Sequence, residues 1–543
     1  MPSLFLLLLS TLLTGALLHL LLSAVISSRG RSRRRLPLPP GPKGRPILGN
    51  LLQLGAKPHQ TLAALSRTYG PLVKLRFGRV DVVVASSASA AAAFLKTHDA
   101  NFSCRPPNSG AEHIAYNYQD LVFAPYGPRW RSLRKLCTVH LFSAKALDDF
   151  RHVREEEAAA LARSLLAPGG EMGVGKEVNV CVANALARVV IGRRVFGGGV
   201  GREAEEFRGM VMEMMRLAGV FNVGDFVPGL GWLDPQGVVA GMKRLHRRYD
   251  AMLDKMIAEH AAGPGGEGNG ADLLSVMIRS LGEAVDGEGG TISDVNVKAL
   301  LLVVLTSYER RGRTPSSPIH PVMVLQNLFT AGTDTTASTV EWALAELIRQ
   351  PRVLTEAQVE IDSVVGRSRL VCDGDLASLP FLQAVVKETF RLHPSTPLSL
   401  PRIASESCDV AGYHIPKGAT LLVNIWAIAR DPETWLSPLE FRPERFLPGG
   451  EHACVDVKGT DFELIPFGAG RRICVGMSLG IRMVQLLTAT LVHAFDWALP
   501  AGQSPEKLDM EEAYGLTLQK AVPLKARATP RLDRQAYGAH SKA

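Results

Sequence analysis

The chain lacks any Cys-x-x-Cys pair, and its seven cysteines (104, 137, 181, 372, 408, 454 and 474) follow no regular spacing. That argues against a zinc site or a secreted disulfide framework and for a reducing compartment. There is no phosphate-binding loop. The glycine runs at 263–270 and 197–201 read as surface loops, because neither sits between a strand and a helix. There is no internal repeat, and nothing between residues 50 and 525 resembles a long flexible linker, so the 543 residues point to one large domain. The net charge of +9 is no nucleic-acid signature: five arginines between Arg29 and Arg35 supply more than half of it.

One stretch lacks charge altogether. Leu4–Ile26 is 23 residues without a formally charged side chain, enough to span a bilayer, which needs roughly 20. A cleaved secretory signal is the rival reading, disfavoured by the length of the run and the absence of basic residues before it. The arginines that follow predict a cytosolic domain behind a single-pass anchor in lipid. Leu36-Pro-Leu-Pro-Pro-Gly-Pro42 then forms a stiff hinge. The expected layout is an anchor at 1–28, a basic and proline-rich hinge at 29–46, and a catalytic domain at 47–543. Leu72–Ala85 reads as a hairpin. Helical periodicity runs through Ala146–Leu166, Val178–Val190, Glu203–Leu217, Gly241–Ala262, Val340–Val365, Leu382–Leu392 and Met477–Phe495. The expected fold class is mainly α with a small β-rich region.

The most informative residues are Phe467-Gly-Ala-Gly-Arg-Arg-Ile-Cys474-Val-Gly476, a glycine-rich loop carrying one cysteine just before a helix. Gly468, Gly470 and Gly476 let backbone approach a flat, bulky partner. Backbone N–H groups and the helix start can stabilise a thiolate, and Arg471 and Arg472 suit an acidic cofactor edge. A buried, inert cysteine is the bland alternative. The pattern F-x-x-G-x-R-x-C-x-G is matched at every fixed position, and it resembles the haem-binding loop of the cytochrome P-450 superfamily. The resemblance implies haem b with Cys474 as axial iron ligand, and the P-450 fold behind a single transmembrane helix.

Three further motifs extend the resemblance. Ala331-Gly-Thr-Asp-Thr-Thr336 alone reads as a helix N-cap. Beside a haem loop it implies the oxygen-activating groove, with Gly332 leaving room for dioxygen and Asp334 and Thr335 as an acid–alcohol pair that delivers protons. Glu388 and Arg391, three apart on one helix face, would be a minor ion pair by themselves. With Arg445 in Phe441-Arg-Pro-Glu-Arg-Phe446 they resemble the family's structural Glu–Arg–Arg triad. Trp130, Arg134 and Arg402 match positions that bind haem propionates, a task suited to arginine's forked, permanent charge, whereas Arg131 and Lys135 read as a solvated face. Phe467, Arg472 and Gly476 complete the implied cofactor set. The chain has no flavin or iron–sulfur motif, so the resemblance implies electrons from NADPH through a partner NADPH–cytochrome reductase. It also implies residence in the endoplasmic reticulum membrane.

Val223-Gly-Asp-Phe-Val-Pro228, Asn424–Asp431, Leu392–Leu400 and Glu512–Gln519 are similar to segments of plant flavonoid 3'-hydroxylases. That similarity implies a flavonoid substrate such as naringenin or dihydrokaempferol, hydroxylated at the 3' position of the B-ring. Thr517 and Ala331 are the implied substrate contacts. A different aromatic or terpenoid substrate is the alternative. One departure interrupts the pattern. Joining Leu302 to Asn327 restores the family's helix, so Val303–Gln326 is an insertion of 24 residues. Its Pro315, Pro318 and Pro321 oppose a helix through it, and its ends suit a retained in-frame intron, since valine codons begin GT and one glutamine codon ends AG. Two outcomes are open: an insert looped out ahead of a helix restarting at Asn327, or a haem-binding isoform without catalysis.

Overall fold

The computed structural model describes residues 14, 36–115, 117–166, 171–197, 202–262 and 321–538. The expected anchor (apart from Thr14), the arginine cluster, residues 198–201 and 263–270 of the glycine loops, and residues 303–320 of the insertion lie outside the described residues.

Along the chain come α1 (Pro58–Tyr69), β1 (Leu72–Phe77), β2 (Val80–Ala85), α2 (Ser109–Ile114), α3 (Pro128–Cys137) and α4 (Arg151–Ser164). Then follow α5 (Val174–Ile191), α6 (Arg202–Gly219), α7 (Val238–Ala262), α8 (Pro321–Arg349), α9 (Pro351–Val365) and α10 (Pro380–Leu392). After β3 (Arg402–Ile403) and β4 (Thr420–Val423), the chain ends in α11 (Met477–Ala494), β5 (Phe495–Ala498), β6 (Glu512–Ala513), β7 (Gln519–Lys520) and β8 (Lys525–Pro530). The hairpin β1–β2 turns at Gly78 and Arg79 and pairs Leu72 with Ala85 and Phe77 with Val80. The valine-rich strand β2 then pairs in parallel with β4, and β3 closes a four-stranded sheet in the order β1-β2-β4-β3. A smaller sheet sets β8 between β5 and Met172–Gly173.

The periodic run at 340–365 is two helices. Pro351 has no N–H to donate and its ring clashes with the preceding turn, so α8 ends at Arg349 and Pro351 opens α9. The run at 146–166 also divides, at Phe150, without a proline or glycine to mark it. The restart expected at Asn327 is corrected: α8 begins six residues earlier, at Pro321, where the missing N–H costs nothing because the first turn leaves such groups unpaired anyway. The Thr333–Asp334–Thr335 cluster therefore lies inside a helix and caps nothing.

The helix α8 runs through the main core against α5, α10 and α11. Val340, Leu344 and Leu347 on α8 meet a core that includes Leu186, Val385 and Leu487, all under 8 % exposed. Each such side chain is worth about 1.5–3 kcal/mol of burial. Among the described residues, α11 is the one helix long and apolar enough to cross a membrane. Leu486, Leu487 and Leu491 on it are fully buried, which makes it a core helix here.

Candidate functional site

The 467–476 loop is closed by a hydrogen bond from the Cys474 N–H to the Phe467 carbonyl, 3.0 Å. Gly468 and Gly470 both have φ of +70°, where other residues are strained. A Cβ on Gly470 would stand 2.4 Å from the Asp99 carboxylate and from the Leu95 carbonyl, so this glycine serves contact with protein rather than with a flat ligand. Gly476 stands immediately before α11. Cys474 is exposed, with half-buried Val475 and Gly476 beside it. Protein mass around the thiol pushes its pKa up, while the Gly476 N–H and the Arg134 charge act in the opposite sense. Phe467 meets Phe390 edge-on at 5.2 Å, joining the loop to α10.

Arginines ring the loop. Arg134 on α3 donates to the Ile473 carbonyl at 2.8 Å and lies over the Trp130 ring. Trp130 is buried, its indole N–H given to the Leu121 carbonyl. Arg402 donates to Asp99 at 3.2 Å and to the Ala469 carbonyl at 2.8 Å. Arg472 donates to the carbonyls of Ser103 and Ala124. Burial lowers Arg472 to about 10, and the Arg402 and Arg134 charges add to this. Two donors in this buried cluster have no partner: Arg402 Nε and Arg472 Nη1. Arg471 is exposed and binds Asp99. Sequence reading missed Arg105. Its guanidinium donates to the carbonyls of Val122, Leu400 and Pro401, and burial, then Arg402 and Arg472, hold its pKa well below the usual value. Nothing in Cys104-Arg105-Pro106 marks it, because two of its three carbonyl partners, Leu400 and Pro401, lie 295 and 296 residues away.

On α8, Ala331 is exposed and Thr335 half-buried, one turn apart on one face. The Thr335 hydroxyl donates back to the Ala331 carbonyl at 2.6 Å. Asp334 is 4 % exposed and faces the C-terminal strands. Thr517 Oγ1 donates to it at 2.5 Å, and Gln519 Nε2 donates to both its oxygens at 2.8 and 3.0 Å. Burial raises the Asp334 pKa against these donors. A Cβ on Gly332 would lie 2.8 Å from Leu186 Cδ1, so the missing side chain also lets α8 approach α5 closely. Thr517, read as a substrate contact, spends its hydroxyl on Asp334.

Glu388, Arg391 and Arg445 are all fully buried. Glu388 accepts from Arg391 at 2.7 and 2.8 Å and from Arg445 at 3.2 Å. The two guanidiniums also reach the carbonyls of Ala429, Pro438, Glu440 and Leu436. A cavity of about 290 Å³ lies between the β1–β2 hairpin, α2 and the end of α6, walled by Phe77, Ile114, Phe221, Phe226, Leu398 and Leu516. A larger open hollow, about 620 Å³, sits at the far end of α8 around Arg349, Arg352 and Arg442, more than a dozen residues along the helix from Asp334.

The family model for cytochrome P450 matches residues 39–307 and 309–525. The chain belongs to the cytochrome P450 family. It is 63 % identical to a flavonoid 3'-monooxygenase of Crocosmia x crocosmiiflora over 99 % of this chain and 100 % of that protein. It is 59 % identical to a flavonoid 3',5'-hydroxylase of the same plant, over 95 % of each. Among solved structures, a zebra fish cytochrome P450 studied with progesterone superposes with a TM-score of 0.68 at 26 % identity, covering 87 % of this chain and 99 % of that one. The family's cofactor is haem iron, and its monooxygenases take a small-molecule substrate and electrons from a redox partner. The residues present fit that group: an exposed thiol on a loop backed by protein, and buried guanidiniums with donors left for carboxylates.

Proposed function

We propose that this chain hydroxylates the B-ring of a flavonoid at the 3' position, using dioxygen and electrons from NADPH through a partner reductase. The observation that carries the reading is the 63 % identity with a flavonoid 3'-monooxygenase along the entire length of both proteins. When bound, haem supplies activation of dioxygen and insertion of one oxygen atom into the substrate. Cys474 would hold its iron. Arg402 and Arg472, whose Nε and Nη1 donors have no protein partner among the described residues, would hold its propionates, with Trp130 and Arg134 beside them. The Ala331–Thr335 face of α8, exposed at Ala331 and half-buried at Thr335, would supply the acid–alcohol pair, with Thr335 carrying the hydroxyl and Asp334 the proton one residue away. The aromatic walls of the 290 Å³ cavity accept a flat polyphenol and exclude water. Glu388, Arg391 and Arg445 hold the fold. Leu4–Ile26 anchors the domain to the endoplasmic reticulum membrane, facing the cytosol.

The family match breaks at residue 308, inside Val303–Gln326, and a haem-binding isoform that does not turn over is the second reading. A reduced carbon-monoxide difference spectrum, followed by incubation with naringenin and NADPH in reductase-supplied membranes, separates the two. The test compares this chain with a copy lacking Val303–Gln326. The 3'-hydroxylated product from both supports the enzyme reading. Product from the shortened copy alone makes this chain the inactive isoform, and product from neither sinks the substrate assignment.

A further inference from the structure

The acid of the acid–alcohol pair is bound by the segment that directly follows the cavity's wall. Gly515 and Leu516 line the 290 Å³ cavity. The next residues, Thr517 and Gln519, give Asp334 three hydrogen bonds of 2.5 to 3.0 Å. Leu518 between them is fixed by its carbonyl, which accepts from Ser338 Oγ at 3.0 Å and from the Trp342 indole at 3.4 Å. Its N–H donates to the Ser395 carbonyl at 2.8 Å. Ser395 Oγ in turn meets Thr339 Oγ1 at 3.0 Å, and Thr339 also donates to the Thr335 carbonyl. The segment that follows the wall thus touches the acid directly and the backbone of the alcohol through two hydroxyls.

We propose that Gln519 and Thr517 form a clamp that sets the orientation and proton-holding of Asp334, making them positioning residues for proton delivery. This rests on the reading of Asp334 as the proton-holding acid. The clamp is particular in its chemistry. Both partners are neutral donors, so they stabilise the carboxylate without making a fixed ion pair that would keep it ionised. The charged and titratable groups around it are few. Arg208 on α6 favours the carboxylate, whereas Glu341 two turns along α8 and Tyr249 on α7 sense it as a nearby negative charge. Burial opposes the carboxylate and the clamp favours it, a balance suited to an acid that must gain and lose a proton in each turnover.

The test uses the full-length holoenzyme. The infrared carboxylic-acid band of Asp334, assigned by its loss in Asp334→Asn, is titrated in the resting protein without substrate or reductase. Product formed per NADPH and the spectral affinity for naringenin are measured alongside. Thr517→Val keeps the shape and removes the donor, Gln519→Leu does the same at the second position, and Thr517→Ser restores a hydroxyl. The clamp requires the titration to move to higher pH in the Val and Leu variants and to stay with the parent in the Ser variant. Product per NADPH should fall roughly tenfold, with naringenin affinity changed by less than about twofold, below the ~1 kcal/mol scale of a lost contact. Should Gln519→Leu not retain haem, Gln519→Glu replaces it: a second carboxyl against Asp334 must also move the titration upward. An unmoved titration in the Val and Leu variants overturns the clamp, as does a loss of product that tracks substrate affinity alone. A parent that ignores naringenin but carries the titrating band would sink the substrate reading and leave the clamp standing.

Discussion

Two buried arginine clusters in this molecule solve the same problem in different ways. Around Glu388, two guanidiniums share one carboxylate and backbone carbonyls, and Arg445 also has Glu451 at 2.9 Å. No nitrogen of Arg391 or Arg445 is left unpartnered, and both stack over Trp435. Around Arg402, Arg472 and Arg105, positive charge outweighs the acids nearby, Asp99 and Asp120, and two donors stay unmatched. A network complete within the chain holds structure, and one short of acceptors is built for an anion that arrives later. The burial is similar; the difference lies in the acceptor count.

The largest contrast should come from Glu388→Gln. It strands two buried guanidiniums and should cost about 3–5 kcal/mol of stability, seen in thermal unfolding of the apo-protein as well as the holo-protein. If the apo-protein tolerates the change, the completed network is not what holds this region. Next, Arg402→Met and Arg472→Met should each weaken haem retention by about 1.5–3 kcal/mol, roughly ten- to a hundredfold, measured by haem transfer to an apo-acceptor. Equal losses of apo stability and haem affinity would erase the distinction between the clusters.

The mildest contrast appears only in acid. Glu512 is buried, which raises its pKa, yet His59, Arg430 and Trp426 outweigh this and bring it from 4.5 to about 2. A depressed carboxyl contributes stability that is fully present above its unfolded pKa and is lost as pH falls through the folded one. Unfolding free energy should therefore decline between about pH 4.5 and 2, and Glu512→Gln should flatten that limb.

The sequence made the chemistry more legible than its supports. Phe467–Gly476 and Ala331–Thr336 are contiguous, and their spacing carries the information. Pro351 marks the α8–α9 break openly. What stayed hidden depends on distance along the chain. Asp334 and Gln519 are 185 positions apart, and neither a glutamine in a short strand nor a buried Arg105 has a local signature. Gly332 shows a subtler limit, since a glycine beside an acid–alcohol pair reads as space for a ligand, and its close approach to Leu186 has no local signature either.

The ties of α8 to the rest of the molecule are unevenly placed along its length. Asp334, Ser338, Thr339, Glu341, Trp342 and Glu346 each hold a partner outside the helix, in Thr517, Leu518, Ser395, Leu524 and His393. Among the described residues these side-chain ties lie at Asp334 and beyond it toward the C-terminus, while Pro321 opens the helix thirteen residues upstream of Asp334. The acid is thus held by residues that come later in the chain than the helix itself, as a ruler is clamped at one edge.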